Sequence, residues 1–298
     1  MAPPAPSTTP PANVPPRNPD YVAVATETVG ELPVGIEQYI CTKTDLTIAE
    51  DTWVTAIEVV PQHADYTFRA TVNIGPDESC DALGFVQQNL FDSFPSSHRL
   101  ELREGDALLI PADSHLQVQI HHSGLSAKTP STDTKLTEVR LWTLPKGERP
   151  KYRVMRQNYH ALNINIPIGA VDQAVTTSTE LDQKYTVQGA EIVGITPMMH
   201  YLGQSLSVRV TAADGTDSQI FDLDDWSLDA RKEYLLDPSS YIPVSSGATH
   251  SQTCVYSNRP DDQAIDANGR RMTPQRTTFG EDARNEQCRM NVMYRVPL

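Results

Sequence analysis

The sequence predicts an all-β protein built as two sandwiches of the jelly-roll type, and three observations predict it. Short runs rich in β-branched and aromatic residues recur along the chain, separated by Pro, Gly, Asp and Ser. Several of these runs alternate with a period of two, as LQVQIHH at 116–122 does, while no window holds a 3.6-residue apolar stripe over twelve residues. The texture before residue 145 is repeated after it, so two layered halves are expected.

Residues 1–19 carry eight prolines and almost nothing that can enter a core, so they read as an extended or disordered arm. The arm lacks the charged start and apolar centre of a signal peptide. From Tyr21 onward the strand candidates of the first half are WVTAIEVV (53–60), YTFRATVNI (66–74), DALLIPA (106–112), LQVQIHH (116–122) and TEVRLWTL (137–144). In LQVQIHH, Leu116, Val118, Ile120 and His122 share one face, and Gln117, Gln119 and His121 the other. SGLSAKTPSTDTK (123–135) reads as a polar connection. PKGERPKYR (145–153), with two prolines and a glycine, is the best boundary, which gives domains 20–148 and 149–298.

The second half offers ALNINIPI (161–168), KYTVQGAEIVGI (184–195), QSLSVRVTA (204–212), EYLLD (233–237), TCVYSN (253–258) and RMNVMYRV (289–296). ADGTD (213–217) is a turn that closes a hairpin. The polar stretch 259–278 has no apolar period and is expected to lie outside as a long loop.

Composition excludes some function classes. Lys and Arg number 24 against 38 Asp and Glu, a net charge of −14, which argues against nucleic acid and against an anionic membrane surface. No apolar run approaches the ~20 residues that span a bilayer. There is no P-loop, no G-x-G-x-x-G, no H-E-x-x-H and no G-x-S-x-G elbow. The acidic run FDLDDWSLD (221–229) lacks the glycine and spaced oxygens of a calcium loop. The four cysteines, Cys41, Cys80, Cys254 and Cys288, fall two to a half with no C-x-x-C pair. They suggest the disulfides Cys41–Cys80 and Cys254–Cys288, hence a secreted or periplasmic protein; four buried thiols in a cytosolic protein are the alternative.

Taken in order, QYICTKTDL (38–46), EVVPQHADYTFRATV (58–72), LREGDALLIPADSHLQVQIHHS (102–123), EVRLWTLP (138–145), MMHYLG (198–203), DWSLDARKEYLL (225–236), SGATHSQTCVY (246–256) and FGEDARNEQC (279–288) carry a resemblance. The chain resembles the copper type II, ascorbate-dependent monooxygenases. The resemblance implies two jelly-roll-like domains side by side, one copper in each, and hydroxylation of an unactivated C–H bond with ascorbate as reductant.

It also assigns positions. The first copper's adjacent histidines fall on Phe68 and Arg69, following the turn Pro61-Gln62-His63, and its third on His121. Phe has no lone pair and Arg stays protonated, so one ligand of three remains. The second copper's set falls on Met198, His200 and Gln287, with Met198 and His200 expected to point the same way on one strand. A thioether and an imidazole suit Cu(I), while an amide oxygen is a poor third ligand. The positions for a peptide carboxylate fall on Thr196, Arg289 and Asn291, which does not reproduce the family's set.

The sequence therefore points to a monooxygenase-like protein with degenerate copper sites, acting as a non-catalytic binding, scaffold or assembly component. Its partner is expected to be a protein or a small molecule in an interdomain cleft. An active copper hydroxylase with an unusual ligand set and a single-site Cu(I)-binding protein are the alternatives. His63, His98, His115, His160 and His250 match no ligand position and read as surface or loop residues, whereas His122 is expected to pack in the sandwich. Glu281, Asp282 and Glu286 stand near the altered second site, with no acid partner evident for a general base.

Overall fold

A computed structural model describes residues 18–28, 37–61, 67–75, 88–123, 125, 134–266, 268–282 and 284–298. Residues 1–17 of the Pro-rich arm, Gln62, His63, Cys80 and most of the connection at 123–135 lie outside the described residues, and so does the expected Cys41–Cys80 pair. The described chain is nearly all β, with largely antiparallel sheets and, among the described residues, no α-helix. It divides into two compact units between Arg156 and Gln157.

In the first unit the strands are β1 (Tyr21–Thr28), β2 (Glu37–Ile48), β3 (Thr52–Val60), β4 (Thr67–Gly75), β5 (Gln88–Ser93), β6 (Arg99–Glu101), β7 (Asp106–Ile110), β8 (Ser114–Ser123) and β9 (Thr134–Thr143). A tenth, β10 (Tyr152–His160), begins there and carries the chain into the second unit. The sheets run β1-β9-β3-β7-β10 and β2-β8-β4-β5. Their apolar faces supply a core that includes Ile57, Val59, Val72, Leu108, Leu116, Val118, Ile120 and Leu141, each almost fully buried. The alternation read in β8 holds, but both of its faces are buried: Gln117, Gln119 and His121 are as hidden as the apolar residues between them.

The second unit contains β11 (Asn165–Ile166), β12 (Gln173–Glu180), β13 (Glu191–Met198), β14 (Gly203–Thr211), β15 (Asp217–Leu223), β16 (Tyr234–Leu235), β17 (Ile242–Pro243), β18 (Thr249–Tyr256), β19 (Thr277–Thr278) and β20 (Arg289–Pro297). Here β20-β13-β16 form one sheet, with β17 also on β13, and β12-β18-β14-β15 another. The expected hairpin at 213–217 joins β14 to β15, with Gly215 at φ +86° and the Ala212 N–H bonded to the Thr216 carbonyl at 2.8 Å.

Several sequence-based strands are shorter. KYTVQGAEIVGI is interrupted by a 3₁₀ turn at Gln183–Tyr185 and by Gly189 at φ +78°, so its strand starts only at Glu191. ALNINIPI keeps only Asn165–Ile166 as strand.

The polar segment 259–278 is not a free loop. The buried Asn258 side chain donates to the carbonyls of Ile166 (3.3 Å), Pro167 (3.1 Å) and Gln275 (2.8 Å) and accepts from Gln263 Nε2 (2.8 Å). One amide thus ties the segment to β11, where no apolar period could.

Candidate functional site

The first candidate cluster sits on the sheet β2-β8-β4-β5. In the antiparallel register His121 on β8 faces Tyr39 on β2 and Arg69 on β4. Its ring stacks on Tyr39 with centroids 4.2 Å apart, its Nδ1 lies 3.2 Å from the Tyr39 hydroxyl, and the Phe68 ring packs at 4.8 Å. A register shift between Thr67 and Arg69 brings Phe68 and Arg69 together against the histidine. The three positions that the resemblance assigns to one copper are therefore neighbours. They supply a single imidazole, and its Nδ1 is within hydrogen-bond reach of a phenol.

Further along the same sheet the buried polar residues continue. Gln119 faces Thr71, which faces Asp92, and Gln117 faces Asn73, which faces Asn89. The Asp92 carboxylate accepts from Thr71 Oγ1 at 2.8 Å and lies 3.8 Å from a guanidinium nitrogen of Arg156, which also donates to the Leu90 carbonyl at 3.1 Å. Both charges are buried, so the pair must be hydrogen-bonded to be tolerated.

The second cluster is in the second unit, and its arrangement corrects an expectation. Strand β13 ends at Met198, so His200 lies in the turn before β14 rather than on one strand with Met198. The cause is Glu286, a fully buried carboxylate that the sequence places nearby without a role. It accepts from the backbone N–H groups of His200 (2.8 Å) and Leu202 (2.7 Å), and more weakly from Gln287 (3.3 Å). Those N–H groups are thereby taken from the ladder.

Trp226 completes the turn, donating from Nε1 to the His200 carbonyl at 3.0 Å. Gly203 is required beside it, since a Cβ there would lie 2.7 Å from Trp226 Cδ1. His200 Nδ1 lies 3.0 Å from the Asn285 carbonyl. Burial pushes the Glu286 carboxyl up to about 8, against the pull of its three N–H donors and of Arg231.

Gln287, at the remaining ligand position, is fully buried; its backbone carbonyl accepts from the Tyr256 hydroxyl at 2.8 Å, while its side-chain amide makes no hydrogen bond among the described residues. Cys254 and Cys288 form the expected disulfide. Thr196 bonds to Glu233, while Arg289 and Asn291 both donate to Asn158 Oδ1, at 3.1 and 2.9 Å. The would-be carboxylate positions are thus engaged with neighbouring side chains.

His250 is a second correction. It is not on the surface but fully buried in β18, stacked on Tyr159 at 4.0 Å and bonded through Nε2 to Gln252 Oε1 at 2.9 Å. Burial lowers its pKa to about 4. The residue alternates with Gln252, Cys254 and Tyr256 along β18, all buried, so period-two reading of THSQTCVY had the signal to find it.

Among the described residues no three His, Cys, Asp or Glu side chains are grouped so as to hold a metal ion. The residues at the two copper positions do not fit two coppers: each set offers a single imidazole, His121 beside Phe68 and Arg69 in one and His200 beside Met198 and Gln287 in the other. Also among the described residues, no helix is long and apolar enough to cross a membrane.

No family model matches the chain, and no curated protein matches it. Among solved structures it is similar to the cowpea mosaic virus top component, at 7% identity over 93% of this chain and 88% of that one, with a TM-score of 0.37. It is similar to infectious bursal disease virus, Gx strain, at 11% identity over 97% and 76%, with a TM-score of 0.24. A glycoside hydrolase, BuGH86 in complex with neoagarooctaose, follows at 10% identity over 93% and 34%, with a TM-score of 0.21. Likeness at this level carries no argument about activity.

Proposed function

We propose that the protein is an extracytoplasmic, monooxygenase-like β-protein that serves as a binding, scaffold or assembly component, with another protein as its partner, rather than as a copper catalyst. The observation that carries this reading is the use to which the candidate cluster is put. Glu286, Trp226 and the backbone at 200–202 are committed to one another, so the polar groups there hold a turn. A catalytic cluster would instead direct its donors at a reacting atom. The buried Cys254–Cys288 disulfide supports an oxidising compartment.

The test is metal analysis of protein purified from its native source, together with ascorbate-dependent oxygen uptake. The expected result is neither stoichiometric copper nor uptake. Two tightly held copper ions with uptake would overturn the proposal.

A further inference from the structure

We infer that strand β12 is the edge through which two copies of this chain join, pairing antiparallel with the same strand of a second copy so that one sheet runs through both. This goes beyond the function proposed above and stands on separate geometry.

Strand β12 is one edge of the sheet β12-β18-β14-β15. It pairs with β18 over all eight residues, Gln173 to Glu180, with no register shift. Outside that ladder its backbone makes one hydrogen bond among the described residues, the Ala174 carbonyl accepting from Gln173 Nε2 of the same strand at 3.4 Å. An edge of this kind presents a row of free N–H and C=O groups, and proteins ordinarily guard such edges with bulges, prolines or charges.

The opposite edge of the same sheet is guarded. Strand β15 has a register shift against Val208 and Arg209, and it carries Asp217, paired with Arg209, and Asp222. In contrast, β12 reads QAVTTSTE, with no proline and no lysine or arginine, and with only Val175 buried.

The chemistry of the strand suits a second copy. The chain as a whole carries −14, so two copies repel over most of their surface. Across β12 they would not. In an antiparallel pair, opposed residues must both point toward the partner or both away, so the two-fold axis falls on a residue. About an axis at Thr176 or at Thr177, the strand sets Gln, Ala, Val, Thr and Ser against one another. Its single charged residue, Glu180, faces Ala174 about Thr177, whereas about Thr176 it would meet Asp172, so charge favours the axis at Thr177.

The flanks agree. Ile168 and Val171, 61% and 55% exposed, precede the strand, and Val187, 43% exposed, follows it. Antiparallel pairing carries the start of one strand to the end of the other. It therefore carries Val171 and Ile168 of one copy past the Glu180 end of the second copy's strand, where they can add apolar area that a strand pair alone would lack.

The experiment is sedimentation of the full chain from low to high micromolar concentration. Hydrogen exchange on residues 173–180 is followed over the same range. The expected result is a shift from 33.0 kDa to about twice that mass. The amides of β12 should become protected in step with it.

The double substitution Thr176→Lys/Ser178→Lys puts lysine opposite lysine about either axis and should leave a monomer. Circular dichroism and thermal unfolding would show that variant folded; if it is not, the concentration dependence of exchange in the unaltered chain decides. A monomer throughout the range overturns the inference. So does a dimer that survives the double substitution in a folded protein, or one whose formation leaves the exchange of 173–180 unchanged.

Discussion

Glu286 gives the sharpest prediction. Replacing it with alanine leaves the N–H groups of His200 and Leu202 buried without acceptors. At about 1–3 kcal/mol for each orphaned donor, the loss is about 2–6 kcal/mol. Glu286→Gln keeps the shape and one acceptor oxygen but sets an NH₂ against one of the two donors, for a loss of about 1–3 kcal/mol. The pH dependence separates this role from simple packing. The carboxyl is raised from 4.5 to about 8 in the folded state, so the folded chain holds the proton more tightly. Its contribution is complete below the unfolded value and disappears as the pH rises through the folded one. The whole gap corresponds to on the order of 5 kcal/mol, of which about 2 kcal/mol falls between pH ~6.5 and pH ~9. Urea unfolding followed by tryptophan fluorescence at those two pH values measures it. The natural chain should lose stability across the interval and the Gln variant should not. Equal slopes in both proteins, or an Ala variant weaker by less than about 1 kcal/mol, would refute the reasoning.

His250 should act in the opposite direction. Its pKa is depressed from 6.5 to about 4, so the unfolded chain binds the proton more readily and stability is lost as the pH falls through that window, by about 3 kcal/mol at most. His250→Phe, which can keep the stack on Tyr159, should flatten the acid limb of the stability curve, as chemical unfolding between pH ~4 and pH ~6.5 would show. Replacing Cys254 and Cys288 together by alanine frees a loop with a sequence separation of 34. The loss should be about 4 kcal/mol on the loop-entropy account, read from the urea midpoint against the natural chain.

The fold was legible where side chains follow one simple period. Strands such as Thr52–Val60, Ser114–Ser123 and Arg289–Pro297 combine branched or aromatic residues with alternation, and the hairpin at 213–217 has its glycine where the backbone turns left-handed. Strand β12 was not legible. Thr and Ser alternate with nothing, because the strand buries only Val175 and its fold is dictated by the ladder to β18. The candidate site was half legible. The alternation of β8 placed His121, but Phe68 and Arg69 meet it through the register shift between Thr67 and Arg69, which a period of two does not report. Met198 and His200 break the pattern because a carboxylate 86 residues away captures the His200 backbone N–H. No local periodicity reports a long-range hydrogen bond to main chain.

That capture also explains why the second cluster behaves as a single unit. The disulfide fixes Cys288 to β18 through Cys254. From the same strand the Tyr256 hydroxyl holds the Gln287 carbonyl, so residue 286 is placed from its C-terminal side before any contact with the turn is counted. The Glu286 backbone N–H reaches the Thr278 carbonyl at 3.0 Å, which places it from β19 as well. A carboxylate held this firmly can take N–H groups at 2.7–2.8 Å without losing much side-chain freedom, and the turn at 200–202 then has one conformation. The ring of His200 is positioned as a consequence. With Nδ1 at the Asn285 carbonyl, the ring could offer a metal only its Nε2, one imidazole donor in the whole cluster. Restoring a methionine at Gln287 alone would therefore still leave a single imidazole beside two thioethers, Met198 and the new residue, which gives no reason to expect the copper site that the resemblance implies.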